Sequence, residues 1–375
     1  MRHQRSFAFL AVLAALVLIL GACTTGASPS PEAEATEEPT EEATEEATEE
    51  ATEAPAADFT ACEVSDTGGI DDRGFNQNAY EGLQLAEEEH GVAIDFLESQ
   101  AATDYERNIN AFIEQGCDLI ITVGFLLGDA TQAAAEANSD QLFSIVDFAY
   151  DPPIDNVQGL VFDTKSASML AGYLAAGMSE SGVVGTFGGV EIAPVVDFMI
   201  GFEAGVNYYN DQNGTEVDVL GWDSASGEGT FTGDFENQDN GRQTAEALMQ
   251  EGADIIFPVA GPVGLGAMAA VQDSGTARYI GVDVDQAISV PEFEDIMLSS
   301  VLKRIDNAVL ASVEDAMDGG FDSNLFVATL ENEGVGLAPY HAFEDEVPDE
   351  LTSEIEDLQA ALIDGSVTAD DWAAP

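Results

Sequence analysis

From residue 58 onward, short runs of apolar and β-branched side chains alternate with longer stretches whose apolar residues recur at helical spacing. The runs FTACEVS (59–65), VAIDFL (92–97), DLIITVG (118–124), LFSIVDF (142–148), GVVGTFGG (182–189), ADIIFPVAG (253–261) and RYIGVDVD (278–285) read as strands. Between them, 76–89, 103–115, 166–179, 195–210, 237–251 and 264–274 read as amphipathic helices. Near-continuous apolar strands separated by helices belong to parallel sheets covered on both faces. The pattern therefore predicts an α/β fold with doubly wound parallel sheets. It restarts near residue 164, so two lobes, 58–163 and 164–285, account for the length better than one very wide sheet. Residues 286–325 are expected to complete the first lobe and 326–375 the second. A TIM barrel is the topological rival, and the uneven strand spacing argues against it.

The pattern changes before residue 58. MRHQR is basic, and FAFLAVLAALVLIL has the length of a signal-peptide core. It is shorter than a membrane-spanning helix needs. The following LGAC resembles a bacterial lipoprotein lipobox, so residues 1–22 are expected to be cleaved and Cys23 lipidated. The alternative is an ordinary secretory signal beside a chance cysteine. Residues 23–57 have almost no large apolar side chain and carry eleven glutamates, which reads as a disordered acidic spacer. Together these features place the folded part outside the cytoplasm, anchored to the cell membrane by lipid.

Charge narrows the partners. The chain has 9 basic and 72 acidic residues, a net charge of −63, and the spacer holds only eleven of those acids. Such a surface repels nucleic acid and anionic lipid. It also suits a salty medium. Only two lysines exist, Lys165 and Lys303. Besides Cys23 there are two cysteines. Cys62 lies early in the first strand, and Cys117 immediately precedes another. Parallel neighbouring strands would bring them together for a disulfide, and two buried free thiols are the alternative.

Ligands of open α/β sheets bind beyond the carboxyl ends of the strands. Those ends hold Asp66, Asp71, Asp72 and Phe75, then Phe125, Asp129 and Asp147. Further on they hold Gly188, Gly189, Gly261, Gly264, Asp283, Asp285, Gln286 and Lys303. The glycine-rich turn SDTGGIDDRGF has neither G-x-G-x-x-G nor G-x-x-x-x-G-K-[ST], and carboxylates repel phosphate. The set suits a neutral or cationic ligand rich in hydroxyl or N–H donors. Phe75 would offer a flat face to an aromatic base, or else belong to the core. Asp72 or Asn76 would cap the helix that follows. His90 and His341 sit in no triad pattern, no G-x-S-x-G occurs, and no Cys/His metal spacing is present. DTGGIDD is similar to the calcium-binding opening of nucleoside hydrolases, but Ser65 and Thr67 stand where two aspartates belong. That enzyme is the runner-up reading.

The runs DTGGIDDRGFNQNAYEGL, GCDLIITVGF, GADIIFPVAGPVGLGAMAA, YIGVDVDQ and MLSSVLKRIDNAV together resemble the BMP family (basic membrane lipoprotein, Med and PnrA-like). They span nearly all of 60–315 in the family's order. The resemblance implies a type I periplasmic-binding-protein fold, two lobes joined by a hinge and closing on a ligand. It implies a substrate-binding lipoprotein of an ABC importer, a monomer that works with a permease and an ATPase, without cofactor or catalytic residue. Its relatives bind purine nucleosides. By that resemblance Asp66 contacts the base, and Phe75 and Phe235 stack on it, with Phe231 the weaker candidate for the second ring. Asn76, Asp147 and Gly261 belong to matching motifs, and Asp283 and Lys303 lie near the ribose hydroxyls. Arg73-Gly74 replaces the family's usual Lys-Ser, and Pro262 stands where many relatives have glycine. A ligand sensor that feeds no transporter is the further alternative.

Overall fold

The computed structural model describes residues 59–373. The expected signal peptide, the lipidation site Cys23 and the acidic spacer lie outside the described residues.

The described residues begin with β1 (Thr60–Val64), α1 (Phe75–His90), β2 (Ala93–Leu97), α2 (Tyr105–Gln115), β3 (Leu119–Val123), α3 (Gly128–Ala137), β4 (Leu142–Val146) and β5 (Val157–Phe162). They continue through α4 (Thr164–Met178), β6 (Val183–Gly188), α5 (Ala193–Asn213), β7 (Asp218–Leu220) and a small hairpin, β8 (Trp222–Asp223) with β9 (Glu228–Gly229). Next come α6 (Gln238–Gln250), β10 (Ile255–Val259), α7 (Val263–Ser274), β11 (Arg278–Asp283), the single turn α8 (Gln286–Ser289) and β12 (Met297–Lys303). The last elements are α9 (Ile305–Met317), β13 (Phe326–Ala328), β14 (Val335–Leu337) and α10 (Asp349–Asp364).

Two six-stranded sheets result. The first has the order β13-β5-β4-β3-β1-β2, all parallel, and the second β14-β12-β11-β10-β6-β7, parallel except for β14. Every residue of LIITV in β3 is buried, as expected of a strand covered on both faces. In the first lobe α1 and α9 pack on one face, with Leu83, Ile121 and Val309 in the apolar layer. On the other face α2 and α3 enclose Ile109, Phe112 and Phe143. Gly116 ends α2 in a left-handed conformation and turns the chain into β3. Cys62 of β1 and Cys117 of that turn form a disulfide, with Cα atoms 6.1 Å apart.

The division between lobes differs from the sequence expectation. Residues 286–325 do not simply complete the first lobe. α8 and β12 belong to the second, where β12 lies between β11 and β14 and is buried along most of its length. Only α9 returns to the first lobe, packing against α1. β13, assigned to the second lobe from its position in the chain, instead pairs with β5 in the first sheet. An apolar strand such as MLSSVLK needs partners on both sides, whereas three residues of β13 carry too little pattern to choose a sheet. The chain thus crosses between lobes three times, at 162–164, 303–305 and 328–335.

Candidate functional site

The carboxyl ends of both sheets border one cleft between the lobes. Asp66, Phe75, Asn76, Phe125 and Asp147 line it from the first lobe. Phe198, Phe235, Gly261, Pro262, Asp283 and Lys303 line it from the second. All eight residues expected to bind ligand are therefore brought together. Asp147 and Asp283, each just beyond or at the end of its strand, adopt φ of 67° and 69°. That left-handed backbone is unusual for a non-glycine residue and recurs at ligand sites.

The four cleft carboxylates have different environments. Asp72 is consumed by the start of α1. Its Oδ1 accepts from the amides of Gly74 and Gln77, and its Oδ2 from the amide and side chain of Asn76. This is helix capping, and it fills each Asp72 oxygen with two donors. Asn76 is equally occupied, accepting from the Asp66 amide at 3.1 Å and donating to the Thr67 carbonyl at 3.2 Å. Its place is in the wall of the site.

Asp66 uses one oxygen internally. Oδ1 accepts from the Thr67 amide at 2.7 Å and from the hydroxyl of Tyr105. Burial pushes its carboxyl above the usual range, and these hydrogen bonds oppose the shift. Asp147 forms an ion pair across the lobes, with Oδ2 2.6 Å from Lys303 Nζ. Asp283 is buried, and desolvation lifts its carboxyl to about 7. Lys303 opposes that rise, while Asp147 and Asp72 reinforce it.

Lys303 is 1% exposed. Its ammonium lies 4.8 Å from the ring centre of Phe75, 5.1 Å from Phe162 and 5.8 Å from Phe198. Ring faces and one carboxylate replace the water lost on burial, which makes the charge tolerable. Lys165 has a different place, in partly exposed ion pairs with Asp197 and Asp370.

Phe75 and Phe235 stand on opposite lobes. Phe235 packs on Gly189, where a Cβ would come within 2.3 Å of its ring. Phe231 does not line the cleft. It packs on Gly188 and edge-on to Trp222, with centroids 6.4 Å apart, so of the two candidates Phe235 is the one that lines the cleft. Gly261 takes a φ of +54° beside Phe235.

Several strand-end residues are elsewhere. Asp71 and Asp129 are exposed, and Asp285 bonds His341 at 2.7 Å. Ser65 donates to the carbonyl of Asp66, and the Thr67 amide donates to the Asp66 side chain. Among the described residues, the group of metal-capable side chains that lie together is Glu89, His90 and Glu314, which is exposed. It gathers at the far end of α1 from the cleft. Sequence reasoning missed Tyr105, Phe198 and the apolar wall of Ile192, Val195 and Val282. A buried tyrosine needs a hydrogen-bond partner, and that need is the one signal that marked Tyr105.

Residues 59–367 match the family model described as ABC transporter substrate-binding protein, PnrA-like. A CD4+ T-cell-stimulating antigen of Listeria innocua is 30% identical over 383 residues, covering 97% of this chain and 98% of that protein. An ABC transporter nucleoside-binding protein, BmpA, of Lactococcus lactis subsp. cremoris is 30% identical over 333 residues, covering 83% of this chain and 89% of that protein. Among solved structures, an ABC transporter system solute-binding protein from Aeropyrum pernix has a TM-score of 0.75 at 27% identity. That likeness covers 83% of this chain and 92% of the other.

Proposed function

The chain belongs to the PnrA-like family of ABC transporter substrate-binding proteins, with their two-lobed periplasmic-binding-protein fold, and from that premise we propose that its cleft binds a nucleoside, of purine type, for import. One observation carries the reading. Two phenylalanines from opposite lobes, Phe75 and Phe235, share the cleft with Asp66, Asp147, Asp283 and the paired cation Lys303. A purine between the rings would gain roughly 0.5–1.5 kcal/mol per aromatic contact beyond area burial. The carboxylates accept from base N–H and ribose hydroxyl groups, and charge-assisted bonds of this kind are the stronger sort. A nucleotide would bring its phosphate among four carboxylates and a single, already neutralised ammonium. The cleft therefore favours the nucleoside over its phosphate.

Binding, not transformation, is the task assigned to these residues. Acyl chains on Cys23 would hold the monomeric receptor at the outer face of the cell membrane, beside the permease and ATPase to which it delivers ligand. The similarity to a protein named as nucleoside-binding supports the ligand class.

Thermal unfolding of the mature chain with adenosine, guanosine, inosine, cytidine, ribose, inosine 5′-monophosphate and calcium, in separate samples, tests the proposal. At a hundredfold excess over Kd a ligand specific for the folded state adds about 2.7 kcal/mol of stability. The expected result is a raised midpoint with one or more purine nucleosides and none with ribose or the monophosphate. No shift with any nucleoside overturns the ligand class. Release of free base from inosine overturns the non-catalytic reading.

A further inference from the structure

Tyr105 opens α2 and is 4% exposed. It does not line the cleft, and its ring lies in the apolar layer with Ile109 and Phe112. Its hydroxyl reaches out of that layer and donates to Asp66 Oδ1, the same oxygen that accepts from the Thr67 amide. On the far side, Asp66 Oδ2 lies over Gly124, where a Cβ would approach it to 3.0 Å. The Asp66 amide is held by Asn76. Oδ1 is thus filled, the backbone is pinned, and Oδ2 takes no donor from the described residues.

We propose that Tyr105 is a positioning residue of the ligand site, whose hydroxyl fixes the Asp66 side chain so that a single oxygen, Oδ2, is presented to the ligand. The inference rests on the reading of the cleft as the ligand site. The phenol suits this work because burial and the adjacent carboxylate hold its own ionisation far above the ordinary tyrosine range. It therefore remains a donor at every working pH. Of the groups that bear on Asp66, burial raises its carboxyl most, the Tyr105 hydroxyl and Thr67 amide lower it, and Glu236 from the second lobe raises it. Removing the hydroxyl deletes a bond that favours the charged form, so Asp66 protonates at higher pH.

Tyr105→Phe in the mature chain keeps the ring and its packing. Inosine affinity measured by calorimetry from pH 5 to 9 is expected to fall about tenfold. Its loss on acidification is expected to begin at higher pH than in the parent. Phe112→Leu, which disturbs the same layer without touching Asp66, is expected to leave the pH profile in place. Parental affinity and an unmoved acid limb in Tyr105→Phe overturn the proposal. A second readout is independent of ligand: titration of the Asp66 carboxyl by carbon NMR, assigned with Asp66→Asn. If inosine binds neither protein, the nucleoside reading fails. An upward move of the Asp66 titration still upholds the role of Tyr105, and coincident titrations refute it.

Discussion

At Asp283, burial drives the carboxyl from an ordinary 3.8 to about 7 even though Lys303 pulls the other way. A carboxyl whose folded value is raised binds its proton more tightly in the folded state. The stability linked to it is complete below about pH 4 and is lost as pH rises toward 7. The ligand-free protein is therefore expected to unfold at a lower temperature at pH 8 than at pH 5. Asp283→Asn should flatten that slope by an upper bound on the order of 3 kcal/mol, at about 1.4 kcal/mol for each of the roughly two units between pH 5 and the raised value. Some slope should remain, because Glu63, Asp66 and Asp72 are shifted in the same direction by burial. A calorimetric series across this range checks it, and a variant with the parental slope would contradict the assignment. Residues at strand ends, such as Asp66, Asp147, Asp283 and Lys303, were legible because an open parallel sheet puts its ligand there. Tyr105 was not, since a side chain that acts through another one leaves no mark at the end of a strand.

Helices α4 and α5 meet backbone to backbone. A Cβ on Gly172 would lie 2.0 Å from the Phe202 carbonyl oxygen, and one on Gly205 would lie 2.0 Å from that of Met169. No side-chain rotation relieves such a clash, so the helices must separate and open the apolar layer between them. Gly172→Ala is expected to cost about 1–3 kcal/mol in urea unfolding. Gly336→Ala, with nothing within 4 Å of the added methyl, should stay within about 0.5 kcal/mol of the parent. Equal losses in the two variants would show that the close approach is not what limits stability. Interior strands such as β3, β4 and β10 were readable because two covered faces demand an unbroken apolar run. β7, β13 and β14 have three residues each, too few for any periodicity, so the completion of the sheets was not.

Across the whole molecule the net charge of −63 sets up self-repulsion that acts on every surface at once. Added salt shortens the range of that repulsion, from a Debye length of about 10 Å at 0.1 M to about 3 Å at 1 M. The melting temperature is expected to rise with potassium chloride over this interval, and more than with sucrose at equal osmolality. A chain equally stable at both salt concentrations would mean that the acidic surface is not a cost to folding. The three crossings between the lobes have a different consequence, which concerns synthesis. Residues 326–337 supply the outer strand of both sheets, and a chain that emerges N-terminus first delivers them after every interior strand. Neither lobe is a finished unit until that one late stretch arrives. A copy cut short before it carries two unpaired strand edges, on β5 and on β12, where foreign strands add and proteases find purchase. An incomplete copy is thus left open at both lobes together, whatever the state of its cleft.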